Sequence, residues 1–194
     1  MIRDTFYSRL GRPVGDLSLL RRRQDVLYDK KWKKFLRRTW LFRHIPFVEF
    51  ALAAGSMALG NVSQYSDFDI IVGAKYRRMF TARFFLILTL DLFGWRRKNL
   101  DHNQSDSDTI CPNHFITEKS YRLAEPHEEY WKILYKNLVP VFGPKDKIGT
   151  FHLANSSWLG EINYRDDLRH KFRESSGIKV FLEKFLGGGL GYWF

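Results

Sequence analysis

The stretch LAAGSMALGNVSQYSDFDIIV, residues 52–72, joins two apolar runs through a segment of small and polar residues. The second run begins with two aspartates, Asp67 and Asp69, separated by one phenylalanine. Because side chains alternate between the faces of a strand, we expect both carboxylates on one face and Phe68 in the core. Two neighbouring carboxylates repel one another unless a cation lies between them. The pair therefore predicts a cation site at the edge of the core.

The end of the first apolar run carries a second signal, Gly55 followed by Ser56. Glycine lets the backbone approach an anion closely, serine adds a hydroxyl, and N–H groups that open a helix point toward a phosphate. Oxygen ligands that leave room for phosphate oxygens suit Mg²⁺. A phosphate-binding turn beside paired carboxylates predicts phosphoryl or nucleotidyl transfer.

The spacing of these two elements resembles the motif of the DNA polymerase beta-like nucleotidyltransferase superfamily. Ala54-Gly55-Ser56 is followed after ten residues by Asp67-Phe68-Asp69-Ile70. The resemblance is specific over residues 47–73 and looser over 74–140, where the chain is similar to small prokaryotic nucleotidyltransferase-domain proteins. The alternative is an ordinary strand–turn–strand junction with an Asx turn at Ser66-Asp67.

The resemblance implies an α+β fold, with a small mixed β-sheet nucleotidyltransferase core flanked by helices and with helical N- and C-terminal segments. It implies an enzyme that moves NMP from an NTP to an acceptor and releases pyrophosphate. Gly55 and Ser56 would bind the β- and γ-phosphates, and Asp67 and Asp69 would hold one or two Mg²⁺ ions.

The third strand is where the chain departs from that family, whose active members usually bring another carboxylate from it. The predicted strand reads TICPNHFITE, and its central polar residue is Asn113. Three alternatives stay open: Asp108 or Asp106 completes the site, Asn113 takes the third position, or the domain has lost catalysis and binds nucleic acid or a partner protein.

The positive charge is concentrated in residues 1–45, which hold 13 Lys and Arg against 4 Asp and Glu in a chain of net charge +11. Apolar residues at helical spacing predict a helix over residues 17–40. Its basic residues have three interpretations: a solvated face, a phosphate-binding face for nucleic acid, or an interfacial membrane helix. The second favours an RNA end as acceptor. The basic residues are Arg21, Arg22, Arg23, Lys30, Lys31, Lys33, Lys34, Arg37 and Arg38.

The remaining pattern predicts a single domain over 1–194, with a basic helical segment (1–45), a catalytic core (46–120) and a helical C-terminal part (121–194). Strands are expected from Phe47, from Asp67 and over 109–118, and helices over 76–93 and 127–138. The helix over 76–93 lies in the most apolar window, which Arg83 and Asp91 interrupt. It is too short and too charged to cross a bilayer, and it is predicted to be buried.

The single cysteine, Cys111, and the charged N-terminus predict a cytoplasmic protein without a secretion signal. Membrane association is not expected. The histidines and the cysteine show no spacing typical of a zinc site. The sequence does not decide the acceptor, the base of the NTP or the oligomeric state.

Overall fold

The computed structural model describes residues 19–98, 107–160, 169–170 and 174–187. The described part contains six α-helices and a four-stranded sheet. The strands are β1 (Val48–Ala53), β2 (Phe68–Ala74), β3 (Ile110–Ile116) and β4 (Val139–Phe142). The helices are α1 (Leu19–Arg38), α2 (Gly55–Leu59), α3 (Met79–Leu92), α4 (Glu129–Lys136), α5 (Lys145–Leu159) and α6 (Gly177–Gly187), with 3₁₀ turns at Thr39–His44 and Glu118–Ser120.

The sheet is mixed and has the strand order β3-β2-β1-β4. Strand β1 is antiparallel to both β2 and β4, whereas β2 and β3 are parallel. The antiparallel pairing of β1 with β2 places the end of β1 beside the start of β2, so that Ala53 is opposite Ile70. The two halves of the motif therefore meet at one edge of the sheet. The α+β class with a mixed sheet is confirmed.

Two apolar clusters cover the two faces of the sheet. On one face α1 contributes Tyr28, Trp32 and Phe35, and the Phe35 ring stacks on Phe68 at 4.9 Å between ring centroids. On the other face α4 and α5 contribute Tyr135 and Phe151 to a second cluster. The predicted helix over 17–40 is confirmed from Leu19 to Arg38, while residues 17 and 18 lie outside the described residues.

Helix α3 corrects the prediction of a buried helix over 76–93. Its inner face, with Ala82, Leu86 and Leu90, is fully buried, but its outer face is exposed. Only one face of α3 packs against the sheet, so the apolar side chains on the opposite face of the helix are exposed to solvent. The exposed residues are Phe80, Phe84, Leu88 and Leu92. Among the described residues, no helix is both long enough and apolar enough to span a membrane.

Strand β4 lies among the helices α4, α5 and α6 of the part over 121–194, and the prediction of a helical part did not include it. The run Val139–Phe142 pairs with β1 at the edge of the sheet, with Pro140 opposite Leu52. A proline lacks the backbone N–H and is tolerated on an edge strand, so this short run with Pro140 did not read as a strand. The predicted helix after Pro126 is confirmed over Glu129–Lys136.

Candidate functional site

A cleft of about 440 Å³ opens where β1 ends and β2 begins. The first turn of α2 forms one wall, and the start of β2 forms the opposite wall. The segment between them and α4 complete the lining. Its residues are Gly55, Ser56, Leu59, Asn61, Ser63, Tyr65, Ser66, Asp67, Asp69 and Tyr130. The structure thus brings together all four residues that the motif singles out, as strand alternation and the spacer length predicted.

The closest approach in the cleft is between Gly55 and Asp69. Gly55 has φ +55°, a left-handed conformation that L side chains rarely adopt, and a Cβ placed on it would lie 2.0 Å from Asp69 Oδ2. The backbone N–H of Ala54 also donates to the carbonyl of Asp69 at 2.9 Å. Only glycine satisfies both the backbone angle and the contact with the carboxylate. The turn and the acid are therefore built as one unit.

The carboxylate of Asp67, which is buried, is paired with an arginine. Arg97 Nη1 donates to Asp67 Oδ2 at 2.8 Å, and both side chains are largely buried. The backbone around Arg97 is fixed against the first residue of β3, because Arg97 N–H donates to Ile110 O at 3.1 Å and Ile110 N–H donates to Trp95 O at 2.6 Å. The fold thus brings a guanidinium to the edge of the cleft.

Strand β3 brings Cys111 and Asn113 to the acid pair. The parallel register sets Cys111 opposite Asp69, and an irregularity between Ile70 and Ile71 then shifts the register by one residue. Asn113 Nδ2 donates to Asp69 Oδ1 at 2.6 Å, and Cys111 Sγ donates to Asn113 Oδ1 at 2.9 Å. Potential ligand atoms of Asp67, Asp69 and Cys111 all lie within 4.8 Å of one another.

Asp108, a predicted candidate for the third position, is held elsewhere. Its carboxylate accepts from Lys31 at 2.8 Å and from Lys34 at 2.5 Å, and its backbone carbonyl accepts from Arg38. It is not among the residues that line the cleft. The other candidate acid, Asp106, lies outside the described residues. Asn113 does reach the site, as a hydrogen-bond donor to Asp69.

The basic helix α1 has an inner and an outer set of charges. Lys31 is 4% exposed and also donates to Ser66 O at 2.5 Å, so it holds the segment directly before Asp67. The outer set is exposed at a spacing that puts it on one face of the helix: Lys30, Lys33, Lys34 and Arg37. Side chains of residues 19–23 lie outside the described part of the chain.

The electrostatic environment keeps the Cys111 thiol protonated in this arrangement. Burial raises the pKa of Cys111 to about 11, and the negative charges of Asp69 and Asp67 add to the shift while Arg97 opposes it. The pKa of Arg97 is raised: burial alone would lower it, but the charge and the hydrogen bond of Asp67 outweigh that effect. Arg97 is therefore a cation paired with Asp67 at the edge of the cleft.

Sequence reasoning missed Arg97 and Cys111. Arg97 belongs to a polar stretch after α3 that the pattern presented as a loop, although an Arg-Arg pair directly before Lys98 was visible in the sequence. Cys111 stands two residues before Asn113, and strand alternation already placed the two on one face. What the sequence does not contain is the register of β3 against β2, which decides that Cys111 is opposite Asp69.

The donor set can be compared with the preference of the predicted ion. Two carboxylates at a cleft suit Mg²⁺, but a thiol is not among the oxygen ligands that this ion prefers.

Compared with protein-family models, curated proteins and solved structures, the chain matches none of them.

Proposed function

We propose that this cleft is the active site of a metal-dependent nucleotidyltransferase, which transfers NMP from an NTP to an acceptor and releases pyrophosphate. One observation carries the proposal: the Gly55 turn lies directly against the carboxylate of Asp69, in a cleft that Asp67 and Ser56 also line. Nucleotidyl transfer needs a phosphate-binding turn and metal-binding acids within one small volume. An accidental strand junction does not require that contact.

The roles follow from the position of each side chain. Asp69 and Asp67 would hold one or two divalent cations, Mg²⁺ being the ion that the family resemblance implies, and the bound ion would supply charge stabilisation at the α-phosphorus. Gly55 has no side chain to collide with Asp69, and Ser56 would offer its hydroxyl and N–H to a phosphate at the same turn. Asn113 keeps Asp69 oriented through its hydrogen bond at 2.6 Å.

The cleft also offers surfaces for the nucleobase. Tyr65 and Tyr130 both line it, and their side chains are 40% and 55% exposed. Aromatic faces stack on any base, at about 1–3 kcal/mol per base. These two tyrosines would therefore bind the base of the NTP without selecting among bases, and replacing either with alanine should weaken NTP binding while leaving metal binding unchanged.

An RNA end is the acceptor that the charge distribution favours. The outer face of α1 exposes Lys30, Lys33, Lys34 and Arg37, while Lys31 of the same helix donates to Ser66 at the cleft. Lysine and arginine neutralise backbone phosphates without reading sequence. Reversing the charge of Lys30, Lys33 and Arg37 should lower RNA affinity and flatten its dependence on salt, by about 0.7 in log–log slope for each lost single-strand contact.

A second candidate function is a catalytically degenerate module of the same fold that binds nucleic acid or a partner protein. The third strand favours this candidate. Among the described residues, it brings the thiol of Cys111 and the amide of Asn113 to the two aspartates of the cleft, where active members of the family usually have a carboxylate. Arg97 also neutralises Asp67 without any bound ion.

The two candidates are separated by label transfer. The full chain is incubated with each α-labelled NTP, a divalent cation and total RNA or total protein. If the protein is a nucleotidyltransferase, the wild type should transfer label to one of these fractions, and Asp69→Asn should not. The control variant Asp146→Asn should transfer label like the wild type, because Asp146 is an exposed acid at the start of α5. Retention of nucleotide binding with no transfer to any fraction would favour the binding module.

A further inference from the structure

We infer that Cys111 is a metal ligand, and that the cleft prefers a divalent transition ion that accepts sulfur, such as Zn²⁺ or Co²⁺, over Mg²⁺. The inference rests on the proposed function for the assignment of Asp67 and Asp69 as the oxygen ligands. It goes beyond that function because it names the class of ion and a third ligand from β3.

The first argument is geometric. Two ligands of one ion are separated by no more than the sum of their bond lengths, about 4.5 Å for a sulfur at 2.3 Å and an oxygen at 2.2 Å. The candidate atoms of Asp67, Asp69 and Cys111 lie within 4.8 Å of one another. Small side-chain rotations are therefore enough to close the set, since β2 and β3 already fix Asp69 and Cys111 in register.

The second argument is the chemistry of the donor atoms. Mg²⁺ takes oxygen ligands and demands near-ideal octahedral geometry, so a sulfur atom among its ligands is unfavourable. A thiolate selects Zn²⁺ and similar ions, and two carboxylates with one thiolate leave a position open for a phosphate oxygen. When the ion binds, the Sγ–H bond breaks, the S–metal bond forms and the proton passes to water.

The third argument concerns the neighbours that orient the ligands. Asn113 bridges the set, because it donates to Asp69 Oδ1 and accepts from Cys111 Sγ. Such partners fix the orientation of metal ligands. A metal ion would compete with Arg97 for the carboxylate of Asp67, because Arg97 Nη1 lies 2.8 Å from Asp67 Oδ2. An ion that gains a sulfur bond displaces this guanidinium more readily than one that is held by charge alone.

The test is titration of the full chain with Co²⁺ in the absence of nucleotide. Coordination of cobalt by a thiolate gives a sulfur-to-metal charge-transfer band in the near ultraviolet. Cys111 is the one cysteine of this 194-residue chain, so such a band is assigned without ambiguity. We expect the band in the wild type, and we expect Zn²⁺ to remove it by competition at concentrations at which Mg²⁺ does not.

Two variants complete the test. Cys111→Ser should lose the band and bind Zn²⁺ about tenfold more weakly or worse, because even residues that only orient the metal ligands change the affinity by about 10–100-fold. Cys111→Asp should lose the band and gain affinity for Mg²⁺ relative to Zn²⁺. A wild type without the band, or a Cys111→Ser variant with unchanged ion preference, would overturn the inference.

Failure of the inference and failure of the proposed function give different results. If the band is absent but Asp69→Asn still abolishes binding of Mg²⁺ and NTP, the proposed function stands and Cys111 is not a ligand. If the band is present but Asp69→Asn leaves NTP binding unchanged, the ion site exists and the nucleotidyltransferase proposal fails.

Discussion

Acidic residues lie at the beginnings of the adjacent parallel strands β2 and β3, and their surroundings differ. Asp67 and Asp69, at the start of β2, line a cleft beside Gly55, and one arginine pairs with Asp67. Asp108, two residues before β3, is bound by two lysines, and its backbone carbonyl accepts from Arg38. We call the first group the cleft acids and Asp108 the anchor acid.

The difference teaches that an acid near a catalytic motif is not thereby part of a catalytic site. The carboxylate of the anchor acid accepts hydrogen bonds from both lysines and ties α1 to the sheet. The cleft acids face a cavity, where Asn113 donates to Asp69 and the guanidinium of Arg97 donates to Asp67. We therefore expect loss of activity from changes in the cleft acids and loss of stability from changes in the anchor acid.

The largest expected effect is the loss of transfer in Asp69→Asn. Removing one ligand charge should lower the rate by about 100-fold or more, as removal of a single electrostatic group at a transition state does. The protein should stay folded, because the amide keeps the shape of the side chain. Rates from label transfer and circular dichroism of the same sample measure both.

Asp108→Asn supplies the contrast to that variant. Transfer per folded molecule should stay near the wild-type rate. An anchor-acid variant as inactive as Asp69→Asn, at equal folded fraction, would break the comparison.

The free energy of unfolding should fall more in Asp108→Asn than in Asp69→Asn, the opposite of the order expected for transfer. Asp108→Asn leaves Lys31 as a cation that is 4% exposed without its carboxylate, and breaking such a pair costs about 3 kcal/mol in the free energy of unfolding. Lys34, which is 48% exposed, contacts the same carboxylate, but Lys34→Met should cost under about 1 kcal/mol. Urea denaturation of the wild type, Asp108→Asn and Lys34→Met measures both losses of stability. Equal losses for Asp108→Asn and Lys34→Met would contradict the account.

The Gly55 turn should be intolerant of a side chain. Gly55→Ala introduces a Cβ at a φ of +55°, which costs about 1–2 kcal/mol, and sets it 2.0 Å from Asp69 Oδ2. Gly149→Ala is the matched control, since Gly149 lies in α5 with no atom near its added Cβ, and this change should stabilise the protein by about 0.5–1 kcal/mol. Thermal unfolding of both variants measures the difference, and a neutral Gly55→Ala would show that the close approach is not required.

The smallest expected effect is a pH dependence of the anchor acid. Burial would raise the pKa of Asp108, but the hydrogen bonds from Lys31 and Lys34 outweigh it and hold that pKa below its ordinary 3.8. A lowered carboxyl pKa gives stability that is present above 3.8 and is lost as the pH falls through the folded-state value. The stability difference between the wild type and Asp108→Asn should therefore be constant near neutral pH and shrink below about pH 4. A difference that stays constant into acid would contradict the pairing.

The sequence predicted the parts of the molecule that depend on local pattern. The motif residues, the first three strands and α1 follow from alternation, glycine chemistry and helical spacing, and the structure places each of these elements within a few residues of its predicted bounds. The roles of Gly55, Ser56, Asp67 and Asp69 in catalysis stay predictions.

What the sequence did not predict depends on contacts between distant residues. The register of β3 against β2 brings Cys111 to Asp69, and a salt bridge across 77 positions takes Asp108 to Lys31. Helix α3 was predicted to be buried because most of its residues are apolar, yet only its face with Ala82, Leu86 and Leu90 is buried. Register, long-range pairing and the number of layers are properties of the assembled chain, and no short window of residues contains them.

The most direct test of the account is the position of metal and nucleotide in a crystal of the full chain. Crystals grown with a non-hydrolysable NTP analogue and Mn²⁺, whose anomalous scattering locates the ion, would show both. We predict an ion bound to Asp67 and Asp69, with the β- and γ-phosphates at Gly55 and Ser56. An ion or a triphosphate bound elsewhere, with Asp67 still paired to Arg97 and the cleft empty, would contradict the central claim.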